Sequence, residues 1–225
     1  MVAMTPHRSD ESPRDGTVEA FAAQVAHDFN NLLTGVLGNL ELLRLRAVRS
    51  GAVGLDCYVE GANAAAQRLV AFAHRLSLFS GRTAHAPQPV ALQPLLRELV
   101  TLSQGRNVAL DLPEEAPVVL ADAAGLRQAL LELLQNAWDA DAEVTLRAIA
   151  LEDGAVIVVR DNGPGMAPEI LAQARGLFFT TRANGAGRGL GLPIVVSLAT
   201  RAGGRLELDS APGEGCEVRL YLPLA

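Results

Sequence analysis

Between Gln24 and Leu43 the apolar residues Val25, Phe29, Leu32, Val36, Leu40 and Leu43 recur at steps of three and four. At about 100° per residue this places them on one stripe of an α-helix. His27 lies off that stripe and points roughly opposite, with Asn31 and Thr34 further along the same polar face. The helix is expected to start near Thr17, with Asp15 or Thr17 as its cap, and to end near Arg49. There Arg44, Arg46 and Arg49 suit the negative helix end and Gly51 can take the left-handed turn. After the loop Ser50–Gly54, Leu55, Tyr58, Ala62, Ala65, Leu69, Phe72, Leu76 and Phe79 alternate steps of three and four, the seam of a coiled coil. Two such helices predict an antiparallel hairpin whose seam is half covered. A dimeric four-helix bundle of two hairpins would cover the rest, so a homodimer is expected; the alternative is cover by the downstream domain of the same chain.

Past Ser80-Gly81 the pattern changes. The segment Thr83–Pro94 holds Pro87, Pro89 and Pro94 and reads as a linker leading into the first strand and helix of a new domain. Leu95–Gln104 and Ala123–Ala140 read as helices, Asn107–Leu112 and Val118–Leu120 as extended. Glu143–Leu151 and Ala155–Arg160 read as strands of a hairpin turning at Asp153-Gly154. A helix is predicted from the glycine-rich region to about Arg201. Arg205–Asp209 and Glu217–Leu222 form a last hairpin, with Val218, Leu220 and Leu222 inward. This mixture predicts an α+β two-layer sandwich, one sheet with helices on one face. The expected organisation is a disordered tail over residues 1–16, the helical hairpin over 17–84 and the sandwich over 88–225.

Composition narrows the function classes. With 225 residues, 49% of them hydrophobic, the chain can bury two modest cores. A net charge of −6 argues against nucleic acid as a partner, because phosphate backbones need clustered positive charge. Cys57 and Cys216 are far apart without metal-ligand spacing and read as reduced thiols. The apolar runs fall short of a membrane span and Met1–Arg14 lacks the apolar stretch of a signal peptide, so no membrane insertion and a cytoplasmic location are expected.

Four constellations carry chemistry. Asp28 beside His27 can accept the Nδ1 proton and leave Nε2 with the free lone pair of a nucleophilic imidazole, and Asn31 adds an amide one turn on. On the helix 123–140, Glu132 and Asn136 stand four apart on one face, oxygen ligands suited to Mg²⁺ shared with nucleotide phosphates. Asp161-Asn-Gly163-Pro-Gly165 follows an apolar strand. A carboxylate there needs a partner such as an adenine amino group, and the glycines let a flat ligand approach the backbone; a plain turn is the alternative reading. Finally Gly185-Ala-Gly187-Arg-Gly189-Leu190-Gly191 opens a helix whose N-terminal N–H groups suit phosphate. It does not follow a strand and lacks G-K-[ST], which excludes the two commoner phosphate motifs. Phe178-Phe179-Thr180-Thr181-Arg182, upstream, adds hydroxyls and a cation on an expected lid.

The stretch His27-Asp-Phe-Asn-Asn-Leu-Leu33 resembles the phosphoacceptor box of bacterial sensor histidine kinases of the H-D-F-N-N group. The three downstream motifs resemble the N, G1, F and G2 boxes of the ATP-binding fold shared by histidine kinases, gyrase and MutL. The resemblance covers about residues 20–222. It implies that Asn136 holds Mg²⁺, with Glu132 in the metal shell or acting as a base, and that Asp161 reads the adenine amino group between Gly163 and Gly165. It implies too that Thr181, Arg182, Gly187, Gly189, Leu190 and Gly191 meet the phosphates. His27 would take the γ-phosphoryl group of ATP with Asp28 as base and pass it to an aspartate of a response-regulator receiver domain, Asn31 also serving regulator dephosphorylation. Trp138 is expected in the core. Many histidine kinases carry Asn where this chain has Glu132, and sensor kinases usually continue the His helix into a sensory domain, so input through a separate sensor protein is expected if the core is free-standing. A dimeric phosphotransferase relaying phosphoryl groups without ATP is the alternative reading; a gyrase- or MutL-type ATPase is a third, which gives His27 no task.

Overall fold

The computed structural model describes residues 25, 29–30, 33–45, 49, 56–103, 105–181 and 189–225. The expected tail, most of the first interhelix loop, His27, Asp28, Asn31, Arg182 and Gly187 lie outside these residues. The chain divides into two compact units, Met1–Ser80 and Gly81–Ala225.

In the first unit, helix α1 occupies residues 33–45 and α2 occupies Asp56–Phe79. Of the predicted stripe on the first helix, Phe29, Val36 and Leu43 are between 38% and 48% exposed, whereas Leu33 is buried. Helix α2 turns Val59, Ala66, Ala73 and Leu76 inward, leaving Ala65 exposed and Leu69 and Phe72 half-buried. The buried face is therefore one position round from the expected seam. Val59, Ala66 and Ala73 repeat every seven residues with small side chains that allow close approach, while the larger residues flank them.

The second unit follows the order β1 (Gln88–Ala91), α3 (Leu92–Leu102), β2 (Val108–Asp111), β3 (Val118–Ala121), α4 (Ala123–Trp138), β4 (Val144–Ala150), β5 (Ala155–Asp161), α5 (Pro168–Gln173), α6 (Gly191–Arg201), β6 (Arg205–Ser210) and β7 (Cys216–Leu222). Five strands form one sheet in the order β2-β4-β5-β7-β6, with β2 parallel to β4 and every other pair antiparallel. The expected α+β sandwich is present, with two differences. Strands β1 and β3 pair with each other in a separate two-stranded sheet instead of joining the main one, and α5 interrupts the long connection after β5.

Helices α3, α4 and α6 cover one face of the main sheet. Leu96, Leu99, Leu126, Leu130 and Leu134 meet Leu146, Ile157 and Leu220, all fully buried. Each such side chain contributes about 1.5–3 kcal/mol on leaving water. The opposite face keeps Val156 and Val158 buried beneath a layer of charge. Arg147 pairs with Asp111, Arg160 with Glu217, and Arg219 with Asp209 and Glu217. The Tyr221 hydroxyl donates to Glu207 at 3.0 Å and, with Arg205, holds the Glu207 carboxyl below its usual range. These exposed pairs contribute little individually, but their aliphatic stems shield the two valines.

Candidate nucleotide-binding site

The strands β5 and β7 run side by side to the same end of the sheet, where Asp161 stands opposite Cys216. Alternation ends at this point: the chain leaves β5 through Asn162-Gly163-Pro164-Gly165 and enters β7 through Gly213-Glu214-Gly215. Asp161 Oδ1 accepts two backbone hydrogen bonds, from Gly163 N–H at 2.9 Å and from Cys216 N–H at 3.2 Å. Among the described residues no hydrogen bond engages Oδ2, so the carboxylate keeps an acceptor for a ligand donor. The two turns touch backbone to backbone. Gly165 has φ +65°, and a Cβ there would stand 1.9 Å from the Ala211 carbonyl oxygen, so no other residue fits.

Beyond these turns opens a cavity of about 350 Å³. Val159, Met166, Ile170 and Val218 give it apolar walls, and Asp161 and Cys216 line it beside them. Asn136, Asp139, Thr180, Thr181, Gly189 and Gly191 also line it. Asn136, Asp161, Gly165, Thr181, Gly189 and Gly191, predicted from three separated motifs, therefore meet at one cavity. Gly163 lies behind Asp161, its N–H on the carboxylate, and Leu190 is fully buried at the start of α6. Burial pushes the Cys216 thiol up to about 12, helped by the negative charges of Asp161, Asp209 and Glu217, so the thiol is neutral and unreactive at physiological pH.

Glu132 behaves differently from its neighbour Asn136. It is 4% exposed and off the cavity wall, and its Oε1 accepts from Gln128 Nε2 at 3.2 Å. Helix α6 begins against both residues: a Cβ on Gly191 would lie 3.3 Å from Asn136 Nδ2 and 3.5 Å from Glu132 Oε2. Opposite, Phe178 N–H donates to the Gly189 carbonyl at 2.9 Å, and both residues have positive φ. Trp138 packs against the core with the Arg106 guanidinium over its ring.

The described residues contain no group of three His, Cys, Asp or Glu that could hold a metal ion by themselves. That donor set fits Mg²⁺ bound through one amide oxygen and otherwise through phosphates and water, the habit of this ion at nucleotide sites.

Three contributors were missed in the sequence. Helix α5 supplies Ile170 to the cavity; Pro168 at its first turn and Glu169 after it are the signals that mark such a start. Cys216 and Ser210 carried no motif.

Comparison with known proteins agrees with this geometry. The family described as histidine kinase-, DNA gyrase B-, and HSP90-like ATPase matches residues 121–225. The C4-dicarboxylate transport sensor protein DctB of Pseudomonas aeruginosa is 31% identical over 95% of this chain, and the sensor kinase CckA of Brucella abortus is 30% identical over 95%. The chain spans 37% and 25% of these two relatives. Among solved structures, full-length ShkA in complex with AMPPNP superposes with a TM-score of 0.74 at 29% identity, covering 92% of this chain and 46% of that one. The mycobacterial sensor histidine kinase MprB gives 0.52 at 26% identity, covering 62% of this chain and 98% of the other. Residues 121–225 are therefore similar to the histidine kinase-, DNA gyrase B- and HSP90-like ATPases, within an α+β fold that matches histidine kinase catalytic domains.

Proposed function

We propose that the chain is the core of a protein-histidine kinase that phosphorylates His27 from Mg-ATP and passes the phosphoryl group to an aspartate of a response-regulator receiver domain. The observation that carries this reading is the convergence of Asn136, Asp161, Gly165, Thr181, Gly189 and Gly191 on one cavity, with Asp161 keeping one carboxylate oxygen for a ligand donor. In that cavity the adenine amino group donates to Asp161, and the apolar walls take the ring. The triphosphate lies toward Thr181, Arg182, Gly187 and the start of α6. Mg²⁺, held through Asn136, supplies charge neutralisation at the phosphates when bound. Glu132, buried beside Asn136, supports the metal shell. His27 Nε2 attacks the γ-phosphorus, the bond to the β-γ bridging oxygen breaks, ADP leaves, and Asp28 accepts the imidazole proton. Asn31 then serves dephosphorylation of the regulator.

The first unit works as a homodimer in this reading. Phe29, Val36 and Leu43 fall on one helical stripe and are all exposed in a single copy, an apolar surface that a second hairpin would cover. Among the described residues no helix is long and apolar enough to cross a membrane.

Incubation with γ-labelled ATP and Mg²⁺, followed by acid and alkali treatment, tests the reading. Label stable in alkali, lost in acid and absent from His27→Gln, whose nucleotide affinity stays within about threefold, is the expected result. Free phosphate without protein label would instead indicate an ATPase.

A further inference from the structure

Ser210 ends β6 and stands opposite Cys216 on β7, which in turn stands opposite Asp161 on β5, so the three residues form one row across the sheet. Its half-buried hydroxyl does two things. It accepts from Met166 N–H at 2.9 Å and donates to the Gly215 carbonyl at 2.6 Å. Met166 follows the turn after Asp161 and lines the cavity; Gly215 precedes Cys216, whose N–H holds Asp161 Oδ1. One side chain therefore joins the two turns whose backbone N–H groups fix the carboxylate. Further out, Gly213 N–H donates to the Pro164 carbonyl at 2.7 Å, a second link between the same turns.

We infer that Ser210 is a positioning residue for base recognition: its hydroxyl clasps the turn after Asp161 to the turn before Cys216 and keeps the free oxygen of Asp161 at the place where the base amino group arrives. Ser210 does not line the cavity itself. With both neighbouring donors satisfied on Oδ1, the carboxylate accepts on Oδ2 from a ligand donor and rejects a ligand carbonyl. That discrimination depends on the donors from Gly163 and Cys216 staying in register, which the hydroxyl enforces. A side chain without a hydroxyl leaves Met166 N–H and the Gly215 carbonyl without this partner and lets the turns slide apart.

The inference rests on the adenine-nucleotide reading, and the experiment separates the two. Affinities for ATP and for inosine triphosphate, which carries a carbonyl oxygen in place of the amino group, are measured by calorimetry on the full chain with Mg²⁺. Wild type prefers ATP. In Ser210→Ala the ATP-to-ITP preference falls about tenfold, mostly through weaker ATP binding, and Ser210→Thr, which keeps the hydroxyl, restores it to within about threefold. A purely structural role would lower thermal stability while leaving the preference unchanged, and that result in a folded Ser210→Ala or Ser210→Cys variant overturns the inference. If Ser210→Ala does not fold, Ser210→Cys, with its weak donor, carries the same comparison. Wild type that binds neither nucleotide, or both equally, overturns the nucleotide reading and the inference with it.

Discussion

On the wall of the cavity Asp161 is held by N–H groups from two turns that meet through hydrogen bonds and glycines. Elsewhere on that wall Asn136, with Glu132 behind it, abuts the start of α6, where a methyl group on Gly191 would press on the Asn136 amide at 3.3 Å. In the proposed reading the base end is held by directional bonds from two turns, and the metal end is in addition pressed by the first turn of α6. Directional bonds select a donor or an acceptor and so suit recognition. Contact sets distances and leaves charge free to change, which suits a site where phosphates and metal come and go. The two carboxylates reflect this division: Asp161 borders the cavity with an oxygen to spare, and Glu132 lies behind it, bonded to Gln128.

Three perturbations test the contrast. Asp161→Ala removes the acceptor and strands two N–H donors, and ATP affinity measured by calorimetry falls about 100-fold or more. Gly191→Ala presses on the Asn136 amide without touching the base end. ATP affinity holds within about threefold while the rate of His27 labelling falls about tenfold, as expected of a small misplacement of reacting groups. If affinity and rate fall together, the two ends are not separable.

The smallest effect is on Cys216. Its folded pKa of about 12 exceeds the 9.0 of an ordinary thiol, so folding favours the protonated form. The stabilisation is fully present below pH 9 and is lost as pH rises toward 12, because the unfolded thiol ionises first. The 19 basic residues are all arginine, so no lysine titrates in this window, and Tyr221, whose hydroxyl is also pushed up, is common to both proteins and cancels in the comparison. Urea unfolding between pH 8 and 10.5 should show a steeper decline for wild type than for Cys216→Ser.

Much of this arrangement was legible in the chain. The Asp153-Gly154 signal gave the hairpin of β4 and β5, and alternation of Val218, Leu220 and Leu222 gave β7, each nearly to the residue; Leu151 N–H donates to the Gly154 carbonyl across the hairpin turn. The motifs around Asn136, Asp161 and Gly189 were readable because each combines glycine or a polar residue with an abrupt end to an apolar pattern. Other features were not legible. The pairing of Gln88–Ala91 with Val118–Ala121 joins two four-residue strands across a helix and another strand, and nothing local encodes it. Helix α5 is too short to show a period. Ser210 was invisible because its role depends on Met166, 44 residues away. On the first helix the stripe through Phe29, Val36 and Leu43 is exposed, and periodicity alone does not report whether a stripe is covered.

The distance between the partners at the base end also bears on how the protein comes to be folded. Asp161 and Cys216 are 55 positions apart, Met166 and Ser210 44, so their bonds form only after a long stretch of chain has been closed into a loop. The site therefore exists only where β5, β6 and β7 are all in place. A nucleotide that binds there binds the finished molecule alone. At a concentration 100 times its Kd it adds about 2.7 kcal/mol to the stability of that state, so under the proposed function ATP would stabilise the folded chain as well as serve as substrate.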